Sequence, residues 1–597
     1  MRLLTFIQNG YGRFLEAQQV RMSNNYEGLP LLALLGLVCG LLSGGVIILF
    51  RLAMDGTAQH LLPLGSIEGF EELTSLERFL LCAGGGLLVG LILQALKPKH
   101  RSVGVVHVIE RLDYHQGRLP FKNAIVQFVA GLLSLMSGHS VGREGPSIHL
   151  GATSGSILGR QLRVPNNSVR ILIACGVAAA IAAAFNTPLA GVIFAMEVVI
   201  MDYSVIGFTP VIIAAVSATT LTRIIFGDST VFSIPITEVN SLHILPIVAI
   251  MGGLIGCLSA AFIQATVFIS SVFQNKAIYL RTLLAGIVTG GIAIVLPQVM
   301  GAGYDTVDLL LLTQIGLSTA ILLVFAKTLT TAAAVGLGIP AGLIGPILFI
   351  GAAAGSVVGL VAANLLPATN ADAGYFALLG MAAMMAATLQ APLAALIYLL
   401  ELSASQSIIL PGMTAVITAS LVAQVVFKKS SIYRHLMLVR GLDYRNSGLS
   451  KALRRIGVAS VMDRNIIQQQ REISQDDARS LLEQEPRWIL LIDEQDQRKT
   501  SLLPATDLAR HLSELETKVT PHKDTNEVLP NNLDLMSIPA KRLSASSTTI
   551  IATLQEAYEK LQSEQCDVLY ITGAHGNSRK RIYGVITREH IESSCRV

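Results

Sequence analysis

The sequence predicts an all-α polytopic membrane protein of two inverted-topology repeats with broken helices, followed by a C-terminal α/β domain. Three observations predict it. Apolar segments recur from Leu29 to about position 427. Two stretches of the first half return in the second: GPSIHLGATSGSILG (145–159) as GPILFIGAAAGSVVG (345–359), and GVAAAIAAAFNTPLAGVIFAMEVV (176–199) as GMAAMMAATLQAPLAALIYLLELS (380–403). The offsets, 200 and 204, are nearly equal, and a glutamate recurs as Glu197 and Glu401, so duplication explains the match better than chance among small residues. Beyond about 440 the composition turns polar and short apolar runs alternate with helical patterns.

The bulk composition agrees. Of 597 residues, 52% are hydrophobic and only 14% charged, and the mean hydropathy is +0.58. Soluble domains carry roughly a quarter charged residues, so most of this chain belongs in a lipid bilayer. A net charge of +4 with no basic run interleaved with aromatics excludes nucleic acid as a partner. Six cysteines without C-x-x-C spacing support neither a metal site nor a disulfide framework. Cys39, Cys82, Cys175 and Cys257 lie in apolar segments and read as small buried residues.

Residues 1–28 spread Arg2, Arg13, Glu16 and Arg21 along their length, which fits a cytoplasmic or interfacial segment rather than a cleaved signal. Residues 29–52 are long enough to span, and 79–96 form a second span. Lys97, Lys99, His100 and Arg101 then mark a cytoplasmic flank. The membrane domain runs over 29–440, with related halves at about 78–227 and 280–427. Several of its apolar segments are too short, or too broken by Gly and Pro, to be simple spans, and such segments line a cavity or a buried site. A charged linker at 441–456 leads to 457–597. There the order helix, strand, polar turn, strand, helix occurs twice, at about 457–514 and 537–597, around a loose connector at 515–536.

The stretch from Gly142 carries the chemistry. GREGP places Arg143 and Glu144 inside an apolar region, with Gly145 and Pro146 opening a helix. A helix N-terminus inside a membrane offers unpaired N–H groups and partial positive charge, which suits an anion. His139 and His149 flank it and read first as buried, hydrogen-bonded residues. An intramembrane enzyme using Glu144 and His149 as acid and base is the remote alternative, since no metal motif, nucleophile elbow or P-loop accompanies them. The chain reads as a non-enzyme.

GREGP, the second-half GIPAGLIGP (338–346) and the K-x-x-x-Y from Lys429 to Tyr433 resemble the CLC family of chloride channels and proton/chloride exchangers, over roughly residues 30–440. On LLPATDL and GVITREHI, the C-terminal region resembles the paired CBS domains found on many CLC proteins. The resemblance implies the CLC fold and a homodimer with one anion pathway per subunit. It also implies a multi-pass location in a plasma or inner membrane with both termini cytoplasmic. The substrate would be chloride or another small anion, with protons in exchangers, and no cofactor is required.

By that resemblance Glu144 is the gating glutamate, a tethered carboxylate that competes with the anion it imitates. Arg143 and Gly145, Pro146 and Ser147 would frame the outer anion site. Gly342, Leu343 and Ile344 would form the second-half filter, with Ile344 where the family usually has phenylalanine. Tyr433 would donate its hydroxyl to the central anion. Two positions depart from the family. Matching glycine to Gly104 puts Val103 where a coordinating serine is usual, with Ser102 one residue away. Val198 replaces the internal proton glutamate, so a passive pH-gated channel is expected, with a proton/chloride exchanger as the alternative. Glu197 and Glu401 read as structural charges. Each CBS copy keeps one element of the ribose-binding T-x-x-D pattern. Asp507 stands with Pro504 in the first and Thr587 with His590 in the second, so each copy lacks one element and the pattern for adenine nucleotide, the ligand of that motif, is incomplete in both.

Overall fold

The computed structural model describes residues 28–63, 65–66, 69–203, 205–228, 232, 242–365, 372–442, 448–491, 500–518, 532–573 and 581–594. The segment expected at the N-terminus and most of the connector fall outside them. One compact unit holds Leu31–Gln161 and Val169–Arg445, and the other is built on Asn446–Val597.

The first unit is helical. Its first half holds α1 (Leu29–Leu61), α2 (Ser75–Ala95), α3 (Gly104–Tyr114), α4 (Phe121–Met136), α5 (Glu144–Gln161), α6 (Asn166–Phe185), α7 (Pro188–Phe194) and α8 (Val205–Phe226). After α9 (Leu245–Phe273) come α10 (Ile278–Ala293), α11 (Tyr304–Leu311), α12 (Leu317–Leu337), α13 (Ile344–Leu365), α14 (Ala373–Leu389), α15 (Pro392–Ser403), α16 (Ile409–Leu421) and α17 (Ile432–Val439). Among the described residues, eight helical segments are long and apolar enough to cross a membrane. The chain is therefore an integral multi-pass membrane protein.

The duplication read from the sequence is a physical two-fold relation. Gly86 of α2 packs against Thr282 of α10, and Gly286 packs against Cys82. A Cβ at either glycine would lie 2.3 or 2.2 Å from the facing carbonyl oxygen, so only glycine lets the backbones approach this closely. All four positions obey the 200-residue offset. Lipid tails give apolar helices no reason to prefer one another over lipid, so close contact through small residues must supply the attraction.

The repeated glutamates cap each other's halves. Glu401 accepts from the backbone N–H of Leu189 and Ala190, at 2.8 Å each. Glu197 accepts from Leu393 and Ala394, at 3.2 and 2.7 Å. Pro188 and Pro392 open α7 and α15, and each carboxylate satisfies the N–H groups that follow. Both carboxylates thus act as structural charges in this geometry. Replacing Glu401 by Ala orphans two donors, and we expect a loss of about 2 kcal/mol, read as a lower midpoint of thermal unfolding in detergent. Glu401→Gln keeps one acceptor oxygen and should cost less.

The C-terminal unit carries a six-stranded sheet in the order β1-β3-β4-β6-β7-β8. Its strands are β1 (Ile466–Gln469), β3 (Trp488–Leu491), β4 (Ser501–Pro504), β6 (Leu543–Thr549), β7 (Val568–Thr572) and β8 (Ile582–Thr587). A separate antiparallel pair joins β2 (Glu472–Ser474) to β5 (Asn532–Asp534). β1 runs parallel to β3, which pairs antiparallel with β4. β6, β7 and β8 repeat that pattern. Each copy has its own apolar core, one around Ile489, Leu503 and Leu508, the other around Leu569, Ile586 and Leu561.

Two expectations need correction. Cys39, Cys82 and Cys175 are buried, but Cys257 is exposed on α9, because its position on that long helix falls outside the packed stripe. The sequence reading also passed over β1, β2, β5 and β6, whose residues are mostly polar and carry little apolar alternation.

Candidate functional site

The two halves meet at an antiparallel bridge between Gly142 and Gly342, which exchange N–H···O bonds of 2.7 Å each. These residues are repeat mates, 200 positions apart. α5 begins two residues after one of them and α13 two residues after the other, so both helix N-termini open beside the bridge.

Glu144, the first residue of α5, folds its side chain back over this bridge and is 1% exposed. Its Oε1 accepts from the Tyr304 hydroxyl at 2.8 Å and from the Gly345 N–H at 3.0 Å. Its Oε2 is buried with no hydrogen-bond partner among the described residues. A Cβ at Gly142 or Gly342 would lie 2.0 or 2.4 Å from that Oε2, so the carboxylate fills space that only glycines leave. Arg143 turns its guanidinium toward the rings of Phe185 and Tyr304, 5.3 and 5.4 Å from their centroids. Gly145 and Pro146 are buried in the first turn of α5, and Ile344 is the buried first residue of α13.

A cavity of about 330 Å³ lies against Gly342 of the bridge. It brings together Val103, Gly104, Gly342, Leu343 and Tyr433, along with three arginines, Arg101, Arg281 and Arg440. Val103 holds the N-cap position of α3 in extended conformation and makes no side-chain cap. Gly104 follows at φ +82°, where a side chain would be strained. The first N–H groups of α3 are therefore uncapped by any side chain at the cavity wall. Gly342 belongs to both regions, lining the cavity and touching the Glu144 carboxylate.

Residues 85–424 match the family model described as voltage gated chloride channel. The chain belongs to the CLC family. It is 34% identical over 356 residues to a ClcB-like chloride channel protein of Ralstonia nicotianae, covering 58% of this chain and 82% of that one. It is 29% identical over 358 residues to the H(+)/Cl(−) exchange transporter ClcA of Vibrio cholerae, covering 58% and 76%. Among solved structures, a slow cyanobacterial Cl−/H+ antiporter superposes with TM-score 0.61 at 25% identity, over 69% of this chain and 97% of the other. A eukaryotic CLC transporter at 18% identity covers 94% of this chain with TM-score 0.58, which speaks for the fold alone.

Other sequence-derived positions are not among the residues that line this cavity. Val198 is buried in the π-helical turn Ala195–Ile200 and does not line the cavity. Asp507 is paired with Arg510 at 2.9 Å, and Thr587 caps its own helix by accepting from the His590 N–H at 3.3 Å. Both belong to the C-terminal unit. His139 departs from the expectation of a satisfied residue. It is fully buried, yet neither ring nitrogen has a partner among the described residues. His149 is bonded to His107, and no hydrogen bond joins it to Glu144 among the described residues, so the acid–base pair of the enzyme reading does not form.

Sequence reasoning missed Tyr304, Lys327, Arg281, Arg440 and His107. The only local signal was Gly301-x-Gly303-Tyr304, a turn signature before a lone tyrosine. Tyr304→Phe removes a hydrogen bond to a carboxylate, about 1.5–3 kcal/mol, from the held state of Glu144. Chloride flux at neutral pH should rise about tenfold, measured by efflux from proteoliposomes.

Proposed function

We propose that the chain carries chloride along a path that crosses the arginine-lined cavity and is gated by Glu144. One observation carries this reading: Gly342 both lines the cavity and lies against the Glu144 carboxylate. Three guanidinium groups concentrate anions at the mouth. The uncapped start of α3, the Leu343 segment and the Tyr433 hydroxyl supply donors that replace lost water. Glu144 occupies the next position as a tethered anion, and protonation or displacement releases it.

With Val198 buried where a carboxylate would be needed, the gate serves a passive pH-gated channel. A second reading, proton-coupled exchange, is favoured by the ClcA relatives and the cyanobacterial antiporter, whose names describe such coupling. With Val103 contributing no hydroxyl, the central anion is held by backbone amides and Tyr433, so discrimination of chloride from nitrate should be weak. Every residue of the path comes from one chain, so a homodimer would hold two paths.

The test is anion efflux from proteoliposomes with external pH recorded and chloride exchanged for nitrate or fluoride. A chloride gradient that drives protons uphill would establish exchange and rule out the channel. Absence of any anion flux from folded protein would defeat both readings.

A further inference from the structure

Besides Glu144, the membrane unit fully buries three histidines that the anion path does not use, His107, His139 and His149, and two of them are bonded to each other. His107 on α3 and His149 on α5 are both fully buried. His107 Nδ1 lies 2.8 Å from His149 Nε2, with the ring planes within 21° of each other. Arg111, one turn further along α3, donates its Nε–H to His107 Nε2 at 3.1 Å.

That bond fixes the tautomers. An arginine only donates, so His107 Nε2 accepts and its proton sits on Nδ1. His149 Nε2 must then accept, and the His149 proton sits on Nδ1, a buried N–H with no acceptor among the described residues. Five residues earlier on the same helix, Glu144 Oε2 is a buried acceptor with no donor. The Cα atoms of the two residues are about 7.5 Å apart along the helix axis. Buried polar atoms are nearly always paired, so an unpaired donor and an unpaired acceptor along one helix call for a connection.

The direction is also set. α5 starts at the gate, and Ser156, about 18 Å further along its axis, accepts from the Leu119 N–H and donates to the Gly117 carbonyl just beyond α3. Arg111 therefore lies toward the end of α5 remote from Glu144, and it is only part-buried.

We propose that His107 and His149 form a proton relay from the inner side of the membrane unit to Glu144. The inference rests on Glu144 being the gate. In one turnover Arg111 moves off His107 Nε2 and a proton from inner water binds there. The His107 Nδ1 proton passes to His149 Nε2, and the His149 Nδ1 proton leaves through water to Glu144 Oε2. One proton enters and one leaves, and both imidazoles end neutral in the reversed tautomer. Ring rotation then resets them. While bonded, Arg111 covers the entrance and passes no proton, because its guanidinium does not deprotonate.

Among the described residues, Arg111, Arg440 and His115 are the charged or titratable groups acting on His107 besides His149, and burial is what acts on His149. Of the elements packed on α3, the turn Ala195–Ile200 carries Glu197, committed to Leu393 and Ala394. α17 carries Tyr433, Arg434 and His435. On α5 pack α4 with Lys122 and α6 with Arg170, which donates to the Leu112 carbonyl.

The experiment measures chloride efflux from proteoliposomes with outer pH fixed and inner pH stepped from about 5 to 8. Wild-type flux should change by close to tenfold per unit of inner pH where one proton limits gating. His149→Gln and His107→Gln should flatten that inner response while the response to outer pH persists. Arg111→Gln should instead strengthen the inner response, and it provides the test if either histidine variant fails to fold. A wild type indifferent to inner pH overturns the relay, as does a folded His149→Gln or an Arg111→Gln with wild-type inner response. In each of those cases the Glu144 gate still stands. If Glu144→Gln keeps its response to both inner and outer pH, the gate reading itself fails.

Discussion

Glu144→Gln and Glu144→Ala are expected to conduct chloride with no dependence on outer pH, where wild-type flux rises as outer pH falls. The carboxylate has two states available to it, seated on the Tyr304 hydroxyl and the Gly345 N–H or displaced from them. A charged acceptor gains about 1.5–3 kcal/mol from each such bond. Protonation removes the charge that makes the seated side chain a rival of chloride. Glutamine retains the shape without the charge, and alanine retains neither. Flux at high pH should therefore rise by about tenfold or more in the alanine variant, since each 1.4 kcal/mol is a factor of ten. Efflux measured across an outer-pH series checks this directly. A folded Glu144→Ala protein that passes no anion would show that the carboxylate builds the path instead of closing it.

How much of this arrangement could be read in the sequence follows from where each interaction runs. Duplication leaves its trace at fixed offsets because both copies must satisfy the same packing, so Gly151 and Gly351, or Pro188 and Pro392, are recognisable in the sequence, whereas the pairing of Gly142 with Gly342 emerges only in the fold. The proposed gate, Glu144, was legible because a charge beside Gly-Pro within apolar sequence is costly without a purpose. Its partners were not. Tyr304 reaches Glu144 across 160 positions, and Lys327 and the cavity arginines look like ordinary residues of apolar or amphipathic helices until the chain folds. The repeated glutamates were recognised as structural, but their exchange of caps between the halves requires three-dimensional knowledge. In the C-terminal unit, β7 and β8 were visible as apolar runs. β6, with the sequence LSASSTT, takes its place from pairing with β4 and β7 and has almost no hydrophobic pattern of its own.

Lys327→Met should cost about 3 kcal/mol or more and should also loosen the gate. The side chain is fully buried in α12, and its Nζ donates to the carbonyls of Val299, Met300 and Gly301 at 3.1, 3.3 and 2.9 Å. The ammonium also lies 4.6 Å from the centroid of the Phe349 ring on α13. Methionine matches the volume but strands three buried acceptors, and each unsatisfied group carries its own desolvation penalty. Arginine does not repair the loss, because a planar fork cannot address three carbonyls converging on one point. The clamped turn leads through Gly303, at φ +74°, directly into Tyr304. Freeing the turn therefore removes the fixed position from which the Tyr304 hydroxyl holds Glu144. The variant should show a lower unfolding midpoint in detergent, and its folded fraction should share the raised neutral-pH flux of Tyr304→Phe. Because the two substitutions act on one linkage, the double variant should raise flux no further than Tyr304→Phe alone. Additive effects on flux would mean that Lys327 stabilises the fold without positioning the gate.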